Sequence, residues 1–169
     1  RRYKNGKGSF RDVMRAIELL KKHRAEFNTL TVVNDYNGKY PRDVYRFLKS
    51  IESKFIQFIP IVEQSADPKE DTPVELISPD FQGKAEVTEW SVNPLQYGKF
   101  LATIFDEWVK RDVGKYFVNI FDATLANWVN QNPGLCTFDE TCGEAAVLEF
   151  NGDLYSCDHW VYHENYLGN

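Results

Sequence analysis

Two runs of β-branched and apolar residues, Thr29–Val33 and Phe55–Val62, each follow a stretch with helical periodicity, and this alternation limits the folds open to the chain. Ser9 is placed to cap a helix in which Phe10, Val13, Met14, Ile17 and Leu20 recur on one face, and Lys21-Lys22-His23 suit its C-terminal dipole. Pro41 suits the first position of a second helix, with Val44, Phe47, Leu48 and Ile51 as its apolar set. A third helix starts at Asn93-Pro94 and turns Tyr97, Phe100, Leu101, Ile104, Phe105, Trp108 and Val109 inward. Tyr116–Phe121 reads as a further strand and Ala123–Val129 as a short helix. Strands apolar on both faces are those of a parallel sheet covered from both sides, and βα alternation implies right-handed crossovers. The expected class is therefore α/β, a piece of a (β/α) barrel, with Asn34, Val62 and Asp122 at the carboxyl ends of the strands where such barrels place their chemistry. The stretch Gln64–Thr88 is rich in proline and charge and reads as a surface loop or insertion.

Beyond the last helix come the three cysteines, Cys136, Cys142 and Cys157, in the pattern C-x5-C-x14-C. Ala145–Phe150, the turn Asn151-Gly152-Asp153 and Leu154–Cys157 read as a hairpin that brings Cys157 back toward Cys142. Thiolates select iron-sulfur clusters or zinc, and a zinc site completed by His159 or His163 fits the same donors. Free cysteines also pack as small hydrophobes. Asp158, next to Cys157, reads either as a hairpin-end carboxylate facing solvent or as a partly desolvated base. Trp90, Trp108, Trp128 and Trp160 read as packing residues.

With 169 residues, 43% of them hydrophobic, the chain can bury one sizeable core. Its net charge of -5 comes from interspersed acids and bases, which argues against a nucleic-acid partner. No signal-peptide core or long apolar run appears, so the expectation is a soluble, cytoplasmic protein without a membrane partner. Clustered cysteines, odd in number, argue for reduced ligand thiols over a disulfide framework. The opening Arg1-Arg2-Tyr3-Lys4 lacks an initiator Met, and the chain is expected to be a segment of a longer protein.

Gly152 to Cys157 forms G-x4-C, and with the two earlier cysteines this resembles the start of the SPASM domain of radical S-adenosylmethionine (SAM) enzymes. The phrases Glu26-Phe27-Asn28-Thr29-Leu30-Thr31-Val32-Val33-Asn34, Lys54-Phe55-Ile56-Gln57-Phe58-Ile59-Pro60 and Cys157-Asp158-His159 are similar to anaerobic sulfatase-maturating enzymes. The likeness extends over nearly the whole chain apart from Gln64–Thr88. It implies that residues 1–132 are the C-terminal part of a partial radical SAM barrel, with 64–88 a loop or insertion, and that 133–169 open a SPASM domain. It further implies radical SAM oxidation of a sulfatase cysteine or serine to Cα-formylglycine. SAM and 4Fe-4S clusters would be the cofactors, the sulfatase polypeptide the substrate, and a flavodoxin- or ferredoxin-type protein the electron donor. By the same resemblance, Cys136, Cys142 and Cys157 are ligands of the first auxiliary cluster, and Asp158 is the proton acceptor. Arg1 pairs with the SAM carboxylate and Val62 packs on SAM. The cysteines of the SAM-binding cluster and the fourth auxiliary ligand have no counterpart here, so the segment alone would be inactive. Two other functions share these features: a SPASM enzyme making thioether or carbon-carbon crosslinks in peptides, and a non-catalytic zinc-binding domain.

Overall fold

A computed structural model describes residues 6–66, 81–141 and 145–169. Arg1, Cys142 and the middle of the Gln64–Thr88 stretch lie outside the described residues. The chain divides into two compact units, residues 1–119 and 120–169.

The first unit holds helix α1 (Phe10–Lys22), strand β1 (Asn28–Val33), helix α2 (Pro41–Ser50), strand β2 (Phe55–Pro60), the short strands β3 (Gln64–Ser65) and β4 (Glu86–Val87), helix α3 (Pro94–Arg111) and strand β5 (Phe117–Val118). β1, β2 and β5 form a parallel sheet in that order, with Asn28 opposite Phe55, Val33 opposite Pro60 and Phe55 opposite Phe117. Parallel neighbours need a crossover, and α2 links β1 to β2 as the alternation predicts. Pro41 and Pro94 occupy the first turns of α2 and α3, where their missing N–H has no partner to lose. The Asn93 side chain accepts from Leu95 N at 2.9 Å and caps α3. Ser9, expected to cap α1, makes no side-chain cap hydrogen bond.

Val33, Ile56, Phe58 and Val118 from the sheet, and Tyr45, Leu48, Phe100, Ile104 and Trp108 from the helices, are the buried core. Phe58 meets Phe100 edge-on with centroids 5.1 Å apart, and Tyr97 donates its hydroxyl to the Phe58 carbonyl. Trp108 is completely buried and spends its indole N–H on the Tyr116 carbonyl at 2.7 Å, which ties α3 to the approach of β5.

Four expectations need correction. The strands are not covered on both faces: Leu30 and Val32 are exposed, while Thr29, Thr31 and Val33 turn to the better-buried side, so β1 alternates. The α2 face includes Tyr45, which is fully buried, while Phe47 is partly exposed. The strand expected over Tyr116–Phe121 is only Phe117–Val118, because helix α4 (Asn119–Trp128) starts directly after it. Asp122 therefore stands in the first turn of a helix and not at a strand end. Finally, the ends of the expected loop Gln64–Thr88 are zipped, with Gln64 opposite Val87 and Ser65 opposite Glu86 in an antiparallel pair.

The second unit contains most of α4, a 3-10 turn at Cys136–Phe138, and three antiparallel strands, β6 (Val147–Leu148), β7 (Leu154–Tyr155) and β8 (Tyr166–Gly168), in the order β6-β7-β8. The expected hairpin forms, with Val147 opposite Tyr155 and Leu148 opposite Leu154. Its strands are shorter than the pattern indicates, and β8 was not foreseen. Gly152 takes φ 92° at the turn, a conformation that suits a residue without Cβ.

Candidate functional site

Two places concentrate the residues singled out by the sequence, one in each unit. In the first unit the carboxyl ends of β1 and β2 are fixed by side chains acting as backbone partners. Asn34 accepts from Tyr36 N and Asn37 N, while Asn37 accepts from Asn34 N and donates to the Val32 carbonyl at 2.8 Å. Two asparagines thus hold the exit of β1 by local side-chain bonding. After β2, Ile61 N reaches the Val33 carbonyl and Val92 N reaches the Ile61 carbonyl. Glu63 N donates to Ser91 Oγ at 2.9 Å, and the Glu63 carbonyl accepts from Thr88 N.

Val62, in this pinned segment, is 60% exposed. Its side chain faces outward and takes no part in the core. Beside it, the indole N–H of Trp90 donates to Glu63 Oε2, and the Trp90 carbonyl accepts from Asp35 N. Trp90 is 39% exposed, Trp128 82% and Trp160 56%, so only Trp108 behaves as the packing residue expected of all four. The Glu63–Trp90 pair was invisible in the sequence, because 27 positions separate the partners and no local pattern joins them.

In the second unit, Cys157 follows β7 and begins a turn closed by Trp160 N on the Cys157 carbonyl. Cys157, Asp158 and His159 place one donor atom each within 4.8 Å of one another. Asp158 Oδ1 and His159 Nδ1 lie 2.8 Å apart, with both side chains more than half exposed. Cys136 sits at the start of its 3-10 turn, half-buried like Cys157, and both are free of disulfides. Among the described residues, Cys136 is not part of the Cys157–Asp158–His159 group. Reduced, partly shielded thiols on turns have the donor chemistry that an iron-sulfur cluster or zinc requires. Neither Arg1 nor Cys142 can be placed, as both fall outside the described residues.

The hairpin preceding Cys157 is braced at its turn. Asn169 donates to the Asn151 carbonyl and to Asp153 Oδ1, both at 3.0 Å, and Asn151 donates to Asp153 Oδ2 at 2.7 Å. Hydrogen bonds from Asn169, with smaller contributions from Asn151 and Tyr166, hold the Asp153 carboxyl below its ordinary pKa.

No family model matches the chain. The serine-type anaerobic sulfatase-maturating enzyme of Bacteroides thetaiotaomicron is 52% identical over 169 residues, 100% of this chain and 40% of that protein. The cysteine-type enzyme of Clostridium novyi is 34% identical over 166 residues, 97% of this chain and 40% of that protein. Among solved structures, native anSMEcpe with bound AdoMet superposes with a TM-score of 0.77 at 29% identity, over 98% of this chain and 41% of that one. Native anSMEcpe with bound AdoMet and Cp18Cys peptide gives 0.78 at 29% identity, over 99% and 43%. Both of these solved neighbours have bound AdoMet. The chain is a homologue of the serine-type and cysteine-type anaerobic sulfatase-maturating enzymes and belongs with that family. It spans about two-fifths of the length of the curated relatives it matches.

Proposed function

We propose that the protein containing this chain oxidises a cysteine or serine of a sulfatase to Cα-formylglycine by radical SAM chemistry. The observation that carries the reading is the 52% identity to a serine-type maturase across all 169 residues. In this reading residues 1–132 are the C-terminal portion of a partial radical SAM barrel and 133–169 open a SPASM domain, in a cytoplasmic protein. No helix among the described residues is long and apolar enough to cross a membrane.

When bound, SAM with its 4Fe-4S cluster supplies hydrogen-atom abstraction, and an auxiliary 4Fe-4S cluster supplies an outlet for the second electron. Cys136, Cys142 and Cys157 hold the auxiliary cluster as thiolates. Asp158, directly after a ligand and half exposed, takes the proton of the substrate thiol or hydroxyl. Its bond to His159 fixes the carboxylate's direction. Arg1 pairs with the SAM carboxylate, and the outward-facing Val62 offers an apolar contact to SAM. The partners are a sulfatase segment and a flavodoxin- or ferredoxin-type electron donor. A peptide substrate accords with native anSMEcpe, solved with a Cp18Cys peptide.

The test is mass spectrometry of a sulfatase active-site peptide incubated anaerobically with SAM, a reductant and the full-length protein, with Asp158→Asn alongside. Formylglycine from the wild type and little from the variant is the expected result. SAM cleavage without formylglycine would replace this reading with a peptide-crosslinking one.

One observation favours a second reading, a zinc site. Cys157, Asp158 and His159 already bring a sulfur, an oxygen and a nitrogen within 4.8 Å, as a single ion needs. Iron with matching acid-labile sulfide in the anaerobically purified protein excludes it, and stoichiometric zinc without sulfide establishes it.

A further inference from the structure

Helices α2 and α3 pack side by side, and the groove between them gathers positive charge in a chain whose net charge is -5. Two adjoining hollows, of about 400 and 470 Å³, open along this groove and share Thr103. Arg42 and Arg46 of α2 and Lys110 and Arg111 of α3 line the first hollow, and Lys99 lines the second. All five are exposed, and among the described residues none makes an ion pair. Of the two acids in the first hollow, Glu107 is taken by Lys49 at 3.3 Å, which leaves Asp106 against four cations. Like charges one helical turn apart, as Arg42 and Arg46 are, repel and weaken a helix, so their pairing on this face is a cost that local stability does not explain. From Lys99 to Arg111 the groove descends α3 away from the carboxyl ends of the strands, on the flank of the helix layer.

The spacing and surroundings of these charges select the ligand. Lys99 and Arg111 stand about 18 Å apart along α3, too far for one phosphate or carboxylate and about the span of five or six extended residues. Nucleic acid would need exposed rings for its bases, yet Phe100, the sole aromatic among the described residues lining the two hollows, is 1% exposed. Guanidinium groups pair with carboxylates through two parallel N–H donors, while the Asp106 carboxylate is an acceptor for backbone N–H groups. We infer that the groove between α2 and α3 docks an extended acidic segment of a partner protein, with Arg42, Arg46, Lys110 and Arg111 anchoring its carboxylates. The inference does not rest on the maturase reading, and these residues take no part in the chemistry.

The experiment uses the full-length protein and a fluorescein-labelled peptide of alternating glutamate and alanine, paired with its glutamine counterpart, which keeps the shape and removes the charge. Anisotropy at low salt should show the glutamate peptide binding about tenfold more tightly than the glutamine peptide, and added salt should close the gap. Arg42→Glu combined with Arg46→Glu should weaken the glutamate peptide about tenfold, and Arg42→Gln with Arg46→Gln should weaken it less. Arg15→Glu with Lys22→Glu is the control: both residues are exposed on α1, neither lines the groove, and the net charge changes by the same amount. That control should bind as the wild type does. Circular dichroism confirms that each variant is folded, as expected for exposed helical positions. Equal discrimination by all variants, an equal loss in the α1 control, or no preference for glutamate in the wild type overturns the inference. Displacement of the peptide by inorganic phosphate or by a single-stranded oligonucleotide at matched charge overturns the assignment to an acidic polypeptide.

Discussion

Tyr45 donates its hydroxyl to Asp112 Oδ2 at 2.9 Å, joining α2 to the C-cap of α3 across 67 positions of sequence. Lys49 Nζ reaches the same oxygen at 2.8 Å and Glu107 at 3.3 Å, so a buried carboxylate is satisfied by one neutral donor and one cation. Tyr45→Phe should destabilise the first unit by about 1–2 kcal/mol, the usual range for a buried hydrogen bond whose acceptor keeps another partner. Asp112→Ala should cost about 3 kcal/mol, because it leaves the Tyr45 hydroxyl without its acceptor and Lys49 with Glu107 alone. Urea denaturation of the two variants checks the order.

The same cluster sets an alkaline limit. Burial, and then the hydrogen bond to Asp112, push the Tyr45 phenol far above its ordinary 10.0. Burial lowers the Lys49 ammonium, but its hydrogen bonds to Asp112 and Glu107 outweigh that and the net shift is upward from 10.5. Both groups are therefore protonated in the folded chain at pH values where the unfolded chain has released its protons. Stability from these shifts is complete below pH 10 and falls as the pH rises beyond it. Unfolding followed from pH 8 to 11 should show this decline, and Tyr45→Phe should flatten it.

Gly152 stands at a turn that a larger residue would strain. At φ 92° any L side chain is strained, and a Cβ there would stand 3.1 Å from Asn169 Nδ2. Gly152→Ala should cost about 1–2 kcal/mol and displace Asn169 from the turn. Asn169→Ala tests the brace separately. Asp153, with its pKa lowered chiefly by Asn169, stabilises the fold above its ordinary 3.8, and this contribution is lost as pH falls through the folded value. The variant's hairpin amides should therefore lose protection at higher pH than the wild type's, as hydrogen exchange would read.

Much of this was legible because pattern and packing agree. The spacing of Phe100, Ile104 and Trp108 follows the helical period, and the prolines at 41 and 94 mark helix starts, so α2 and α3 stand where periodicity puts them. Tyr116–Phe121 misled because aromatic and β-branched residues favour strands, yet β2 supplies pairing partners only to Phe117 and Val118, and the chain turns helical at Asn119. Leu30 and Val32 read as buried on hydrophobicity alone, which does not say what lies above the sheet. At the site, the adjacency of Asp158 and His159 to Cys157 was explicit in the sequence. The Glu63–Trp90 bond depends on loops after two different strands and had no sequence signature.

Asp158 should behave as a proton acceptor and not as a structural residue. It is 53% exposed and its hydrogen-bond partner is the neighbouring His159, so Asp158→Asn removes the base with little disturbance of the fold. Formylglycine production should drop by about 10²–10⁴, the span typical of a positioned general base, while iron content and SAM cleavage persist. Loss of iron in the same variant would make Asp158 a structural or metal-site residue instead.

The thiols give the last separation between cluster and single ion. A four-iron cluster spreads its ligands over a wider volume than one ion does, so Cys136, which stands apart from the Cys157–Asp158–His159 group, can serve a cluster while adding nothing to a zinc site built on that group. Cys136→Ala and Cys157→Ala should each lower iron and acid-labile sulfide together, by the amount of one cluster, in the anaerobically purified full-length protein. His159→Ala should leave both unchanged. The zinc reading requires the opposite pattern, with metal lost in Cys157→Ala and His159→Ala and retained in Cys136→Ala, and elemental analysis of these three variants distinguishes the two.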